Sequence, residues 1–258
     1  VIDIAKQAGD AILNVYNTHF DVTSKEDHSP LTQADLAAHD VIVSQLELLT
    51  PHIPVLTEES ETVDASVRMS WHRYWLIDPL DGTREFVKRN GEFTVNIAMI
   101  EAHAPVLGVV YAPVTGLLYS AVSGQGAYKQ LNGQETRIHT RTFNHRDLVI
   151  AGSRSHQDSR FQQFLANVQR ATGIVPELIS MGSSLKIGLV AEGVADVYPR
   201  IGPTSEWDTA AAHCILNEAG GDIVDVHGNT LCYNTKKSLL NPVFFASAIP
   251  SLGWHNFL

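Results

Sequence analysis

With 258 residues, 44% of them hydrophobic and 18% charged, the chain is long enough to bury a large core and too apolar to be a disordered segment. Its 28 acidic against 18 basic residues give a formal net charge of -10, which excludes general affinity for a nucleic-acid polymer, and two cysteines exclude a disulfide framework. An anionic substrate would be drawn in by local charge, such as carboxylates loaded with divalent cations, rather than by the global field.

In chain order, residues 3–18 place Ile4, Ala8, Ala11, Ile12 and Val15 at helical spacing, and the opening stretch lacks the apolar core of a signal peptide. A polar loop leads to a second helix over about 32–49, striped by Leu36, Val41, Val43, Leu46 and Leu49 and opened by Thr32 and Asp35 as a variant capping box. From Tyr74 the pattern turns to strands. Tyr74 to Ile77 enters an Asp-Pro-Leu-Asp-Gly turn, and 94–100, 106–111 and 117–122 read as successive antiparallel strands. Beyond Asp147, strands and helices alternate: strand 148–151, helix 161–169, a helix after Ser183, strand 194–198, helix 209–218 and strand 243–246. The expectation is an α+β fold with an antiparallel half (1–147) and an α/β half (148–258) packed as one unit. No apolar run approaches the roughly 18 residues of a membrane span, so a cytoplasmic protein without an integral membrane segment is expected.

Acidic residues fall at the ends of several predicted elements: Asp35, Glu58 and Glu59, Asp78 and Asp81, and Asp208. Mg²⁺ takes oxygen ligands in octahedral array, and two carboxylates three residues apart, with the Leu80 carbonyl between them, suit neighbouring metals. Gly82 and Thr83 follow in a tight turn whose N–H groups suit a phosphate. Each element also has a plainer reading: solvated loop charges for Glu58 and Glu59, an ordinary turn for Asp78 to Gly82, a helix cap for Asp208. An EF-hand loop is excluded because its twelfth position is Arg89. A paired-carboxylate glycosidase has nothing further in its favour.

The combination resembles a known superfamily. Trp75-Leu76-Ile77-Asp78-Pro79-Leu80-Asp81-Gly82-Thr83 resembles the first signature of the lithium-sensitive inositol-monophosphatase superfamily. Glu206-Trp207-Asp208-Thr209-Ala210-Ala211 and Glu218-Ala219-Gly220-Gly221 resemble the second, and Glu58-Glu59-Ser60 matches an upstream element. The stretch from Thr83 to Ala98 is similar to the CysQ-type 3'(2'),5'-bisphosphate nucleotidases, with Arg84 where Lys is expected. Ser153-Arg154-Ser155-His156, Gly182 to Lys186 and Tyr198 to Thr204 also match that group.

The resemblance implies a layered α/β/α/β/α sandwich and Mg²⁺-dependent removal of the 3'-phosphate from adenosine 3',5'-bisphosphate, with its sulfated relative a further candidate. Two or three Mg²⁺ ions are implied. Glu58, Asp78 and the Leu80 carbonyl would hold one, and Asp78, Asp81 and Asp208 the second; a third would lie nearer Glu58 and Asp35. Thr83, oriented by Asp35, would relay the proton of a water. Gly82 and Thr83 amides would hold the reacting phosphate beside Leu80, Asp81 and Asp208, and Lys186, Arg200 and Gly182, Ser183 and Ser184 the second one. Ser153 and His156 are candidates for adenine. In inositol phosphatases an acidic residue shortly before the second Trp-Asp binds sugar hydroxyls, and Arg200 lies in that neighbourhood here. An inositol monophosphatase and a non-catalytic nucleotide-binding protein are the rival readings. Resemblance leaves peripheral association with the inner face of a bacterial membrane open, and oligomeric state is not legible.

Overall fold

The structure, a computed structural model, describes residues 1–18, 22–24, 30–60, 63–143, 146–153 and 159–258. The chain opens with helix α1 (Ile2–Tyr16), whose buried Ile4, Ala5, Ala8 and Ile12 form one face, and the two-stranded pair β1 (Val22–Ser24) and β2 (Pro30–Thr32). Helix α2 (Gln33–Leu49) starts with the capping box expected from Thr32 and Asp35: the Thr32 side chain accepts from the Ala34 amide at 3.2 Å, and Asp35 Oδ2 accepts from the Thr32 amide at 2.8 Å.

A seven-stranded sheet follows: β3 (Val55–Thr57), β4 (Arg73–Asp81), β5 (Thr94–Glu101), β6 (Ala104–Ala112), β7 (Leu117–Val122), β8 (Gly126–Leu131) and β9 (Gln134–Ile138), ordered as in the chain. Only β3 and β4 pair parallel; the other neighbours are antiparallel. The short helices α3 (Ala65–Arg68) and α4 (Thr83–Val87) flank β4. A second, five-stranded sheet has the order β11-β10-β12-β14-β13, from β10 (Val149–Ser153), β11 (Glu177–Met181), β12 (Val197–Arg200), β13 (Asp222–Asp225) and β14 (Phe244–Ser247). Helices α5 (Ser159–Thr172), α6 (Leu185–Ala191) and α7 (Ala210–Ala219) connect these strands.

Strand alternation sorts the core into layers. Trp75, Ile77, Val95 and Ile97 face α1 and α2, burying Ile4, Ile12, Ile42 and Leu46. Their neighbours Tyr74, Leu76, Ala98 and Val110 face α6 and α7, which on their other side meet Tyr198, Phe244 and Ala246 of the second sheet. The far face of that sheet packs Ile150, Val197 and Phe245 against Phe161, Phe164 and Val168 of α5. The result is the α/β/α/β/α sandwich expected, and β4 is buried from Tyr74 to Leu80 because both faces of its sheet are covered. No helix among the described residues is long and apolar enough to cross a membrane.

Two differences from the sequence reading have local causes. Strand β4 does not end at Ile77 but runs to Asp81, carried by a register shift against β5 between Asp78 and Asp81. Strands β8, β9, β11 and β13 were not legible: β9 (Gln-Glu-Thr-Arg-Ile) and the start of β11 are exposed edge strands without apolar alternation, and β13 is four residues long.

Candidate active site

Sheet register brings the first two carboxylates together. In the parallel pair Thr57 lies opposite Ile77, and the Glu58 amide donates to the Ile77 carbonyl at 3.2 Å, so Glu58 and Asp78 leave adjacent strands side by side. Residues three apart on a regular strand point to opposite faces. Here Asp78 pairs with Asn96 and Asp81 with Thr94, so three steps on β4 match two on β5. The extra residue is a bulge that turns both carboxylates toward the same cleft. Pro79, which has no amide hydrogen, fits there, and Asp78 Oδ1 accepts from the Leu80 amide at 3.0 Å. Asp208 arrives from the other sequence half, at the end of a single 3-10 turn (Glu206–Asp208) before α7. Its Oδ2 accepts from the Ser205 amide at 3.0 Å, which closes a capping box on that turn; it does not cap the helix that follows, whose N-cap position is Thr209.

One ligand oxygen each from Glu58, Asp78 and Asp208 lie within 4.8 Å of one another. Burial first, and then the neighbouring Glu58, Asp81, Asp208 and Asp35 charges, push the Asp78 carboxyl well above its ordinary range. Asp208 is raised likewise, by burial and then by Asp81 and Glu58. Like charges crowded in a half-buried, all-oxygen set are what a hard divalent cation relieves, so the residues fit such an ion. Asp81 stands beside this triad but outside the 4.8 Å group, its Oδ2 accepting from the Ser184 amide at 2.5 Å and from Asn96 Nδ2 at 3.5 Å.

Gly82 has φ +91 and leads into α4, placing Thr83 at the first helical position. Thr83 Oγ1 is 3.3 Å from both Asp35 Oδ1 and the Leu80 carbonyl. Asp35, only 2% exposed, is fixed because its Oδ2 accepts from both the amide and the hydroxyl of Thr32, at 2.8 and 2.7 Å. Across the cleft, the segment before α6 is held tightly. A Cβ on Gly182 would stand 2.6 Å from the Glu92 carbonyl, and Ser183 adopts φ +47, unusual for a residue with a side chain.

The cations lie on the same side. Lys186, 6% exposed, donates to the Ser183 carbonyl and sits 5.1 Å over the Tyr198 ring. Burial pulls its ammonium down to about 8, against the opposing pull of Asp81. Arg200 donates from Nη2 to the Pro203 carbonyl at 2.8 Å, while among the described residues its buried Nε has no hydrogen-bond partner. A cleft of about 670 Å³ is lined by Glu58, Asp78, Leu80, Asp81, Gly82 and Thr83. Ser153, Gly182, Ser183, Ser184, Lys186, Arg200 and Asp208 complete the lining. Of the site residues read from sequence, Asp35 stands behind Thr83 rather than in the wall, and His156 lies outside the described residues.

Sequence reading gave no role to Asn96 and Thr94. Asn96 Oδ1 accepts from the hydroxyls of Thr94 and Ser184, both at 2.9 Å, which directs its amide nitrogen toward Asp81. Two polar residues in an otherwise apolar buried strand were the available signal. Glu206, the acidic residue just before Trp207, does not line the cleft. It is fully buried and accepts from the Asn234 amide at 2.7 Å and from Lys236 Nζ at 2.8 Å.

The profile of the Inositol monophosphatase family matches residues 1–252. The chain is 49% identical over 249 residues to the 3'(2'),5'-bisphosphate nucleotidase CysQ of Escherichia coli K12, covering 96% of this chain and 98% of that protein. It is 50% identical over 246 residues to the Salmonella typhimurium protein of the same name, covering 95% and 96%. The crystal structure of CysQ from Bacteroides thetaiotaomicron, a bacterial member of the inositol monophosphatase family, superposes with a TM-score of 0.83. It is 44% identical and covers 95% of this chain and 94% of that one.

Proposed function

This chain belongs to the inositol monophosphatase family, and we propose that within it the protein is a 3'(2'),5'-bisphosphate nucleotidase that removes the 3'-phosphate of adenosine 3',5'-bisphosphate. The observation that carries the reading is the make-up of the cleft. It presents a carboxylate set, Glu58, Asp78 and Asp208, together with two cations, Lys186 and Arg200, and a substrate with two phosphates has use for both. Glu206, the acidic residue just before Trp207, is buried away from the cleft and offers nothing to sugar hydroxyls, whereas Arg200 lines it, which favours a nucleotide over an inositol phosphate.

Glu58, Asp78, Asp208, Asp81 and the Leu80 carbonyl would hold two or three Mg²⁺ ions. Such ions supply Lewis acidity, neutralising phosphate oxygens and making a water more acidic. The protein groups account for the rest. Thr83 gives its hydrogen to Asp35 and accepts one from the attacking water, so the pair relays a proton. A water oxygen–phosphorus bond forms, the ester phosphorus–oxygen bond breaks, and the 3'-oxygen takes a proton from a solvent water to leave as the nucleoside hydroxyl, while the proton received by Thr83 and Asp35 returns to solvent. Gly82 and Thr83 amides orient the phosphate for in-line attack. Lys186 and Arg200 take the 5'-phosphate by charge-assisted hydrogen bonds. Ser153 stands at the end of β10, where the base would extend.

The testing experiment compares phosphate release from adenosine 3',5'-bisphosphate and inositol 1-phosphate in Mg²⁺. The nucleotide should be preferred by orders of magnitude in kcat/KM, and a reversed preference would refute the substrate assignment.

A further inference from the structure

His213 in α7 is fully buried, yet both ring nitrogens are engaged. Nε2 is 2.8 Å from Asp222 Oδ1, and Nδ1 is 2.8 Å from the Tyr233 hydroxyl. Asp222 also accepts from the Ile223 amide at 2.7 Å and the Thr230 hydroxyl at 2.5 Å, so it serves as an acceptor throughout. Nε2 therefore carries a hydrogen. The Tyr233 hydroxyl, in a fully buried side chain, donates to Thr209 Oγ1 at 3.3 Å, and the Thr209 hydroxyl donates to the Glu206 carbonyl at 3.1 Å, inside the turn. The Asn241 amide nitrogen reaches the same Oγ1 at 3.2 Å, the Ser205 carbonyl at 2.7 Å and Thr204 Oγ1 at 3.2 Å. These contacts grip both flanks of the turn that presents Asp208. None of His213, Asp222, Tyr233 and Asn241 lines the cleft.

A single 3-10 turn has poor internal hydrogen-bond geometry and little rigidity of its own. Its carboxylate must meet those of Glu58 and Asp78 to within 4.8 Å, so the seating of the turn decides the ligand geometry. A buried hydrogen-bond network outside the turn is rigid enough to fix that seating. We infer that Asp222, His213 and Tyr233 form a brace that, through Thr209 and Asn241, holds Asp208 in its metal-binding position. On this account His213 and Tyr233 are positioning residues, and the inference rests on the reading of Asp208 as a metal ligand.

The test is a titration of the whole protein with Mg²⁺ alone by isothermal calorimetry, with thermal unfolding in EDTA as the check on folding. Tyr233→Phe and Thr209→Val, which each remove one hydroxyl and keep the packing, should weaken Mg²⁺ about tenfold, the lower end of the range for outer-shell partners. Thr209→Ser, which keeps the hydroxyl and loses the methyl, should bind within about twofold of the parent; a purely packing role would rank the two Thr209 variants the other way. Activity should show the same split, with kcat largely recovered in saturating Mg²⁺. Cooperatively folded Tyr233→Phe and Thr209→Val proteins that bind Mg²⁺ like the parent overturn the brace. Where Tyr233→Phe does not fold, equal affinities of Thr209→Val and Thr209→Ser overturn it by themselves. Asp208→Asn in the same titration separates the two levels: if it leaves Mg²⁺ binding unchanged, the metal assignment falls and the brace with it.

Discussion

Replacing Arg200 by alanine tests how the second phosphate is held. Nη2 of the guanidinium donates to the Pro203 carbonyl at 2.8 Å, and among the described residues its buried Nε has no hydrogen-bond partner. A charge-assisted hydrogen bond to phosphate contributes about 1.5–3 kcal/mol, which corresponds to roughly 12- to 150-fold in kcat/KM at about 1.4 kcal/mol per decade. The contact lies away from the reacting phosphorus, so its loss should fall on the bisphosphate and spare a monophosphate. Arg200 also lowers the Asp208 carboxyl electrostatically, after larger influences, so a small part of the loss belongs to the metal site and will appear with both substrates. Steady-state kcat/KM for adenosine 3',5'-bisphosphate and 2'-AMP, measured in saturating Mg²⁺, separates the two parts. The expected outcome is a fall of one to two decades for the bisphosphate and less than about threefold for 2'-AMP. Arg200→Lys should recover only part of it, since an ammonium lacks the planar fork. An equal fall with both substrates would refute the assignment and make Arg200 part of the catalytic site.

Lys186 carries a pH signature. Its ammonium is pulled to about 8 by burial, so its positive charge is lost as pH rises through that value. The free-enzyme profile of kcat/KM should therefore fall on the alkaline side for the bisphosphate and stay flat for 2'-AMP; parallel profiles would contradict the role. Asp208→Asn should abolish turnover while raising the melting temperature of the metal-free protein, because it removes one of the buried like charges and its amide oxygen still accepts from Ser205. In metal-free wild type the folded carboxyls of Asp78 and Asp208 titrate above the 3.8 of the unfolded chain. The folded state then holds more protons, and stability from these groups falls as pH rises from about 3.8 through the raised values. Thermal scans in EDTA between pH 5 and 8 check this, a flat or rising trend in wild type relative to Asp208→Asn counting against it. Thr83→Ala should lower kcat by about 10²–10⁴ with little change in KM, and a pure KM effect would make Thr83 a binding residue.

The carboxylates were legible because their spacing and neighbours are fixed by chemistry: Asp78, Pro79 and Asp81 can face one cleft only through a bulge, and Pro79 sits where a bulge tolerates it. Helix α1 showed because its apolar residues recur at helical spacing, and β5 to β7 because they are long runs of apolar and β-branched residues; α2 showed by its capping box, while its buried face is Ala34, Ala38, Ile42 and Leu46 and leaves Leu36 and Leu49 of the expected stripe exposed. Long-range geometry was less visible. Nothing in a linear pattern says that Asp208 will lie within 4.8 Å of Glu58, since that depends on how α7 seats against β5 and β6. Nor does it say that Glu206 will turn inward to Asn234 and Lys236. His213 reads as an ordinary helix residue, and Asp222 belongs to no expected element, until the fold sets them 2.8 Å apart.

The central claim is that this cleft releases the 3'-phosphate of a bisphosphate nucleotide with the help of divalent cations bound by its carboxylates. Its most direct test follows the products formed from adenosine 3',5'-bisphosphate by the purified protein with Mg²⁺ and with EDTA. The account predicts one equivalent of phosphate with adenosine 5'-monophosphate in Mg²⁺ and no turnover in EDTA. Release of the 5'-phosphate to leave adenosine 3'-monophosphate, or turnover indifferent to EDTA, would contradict it.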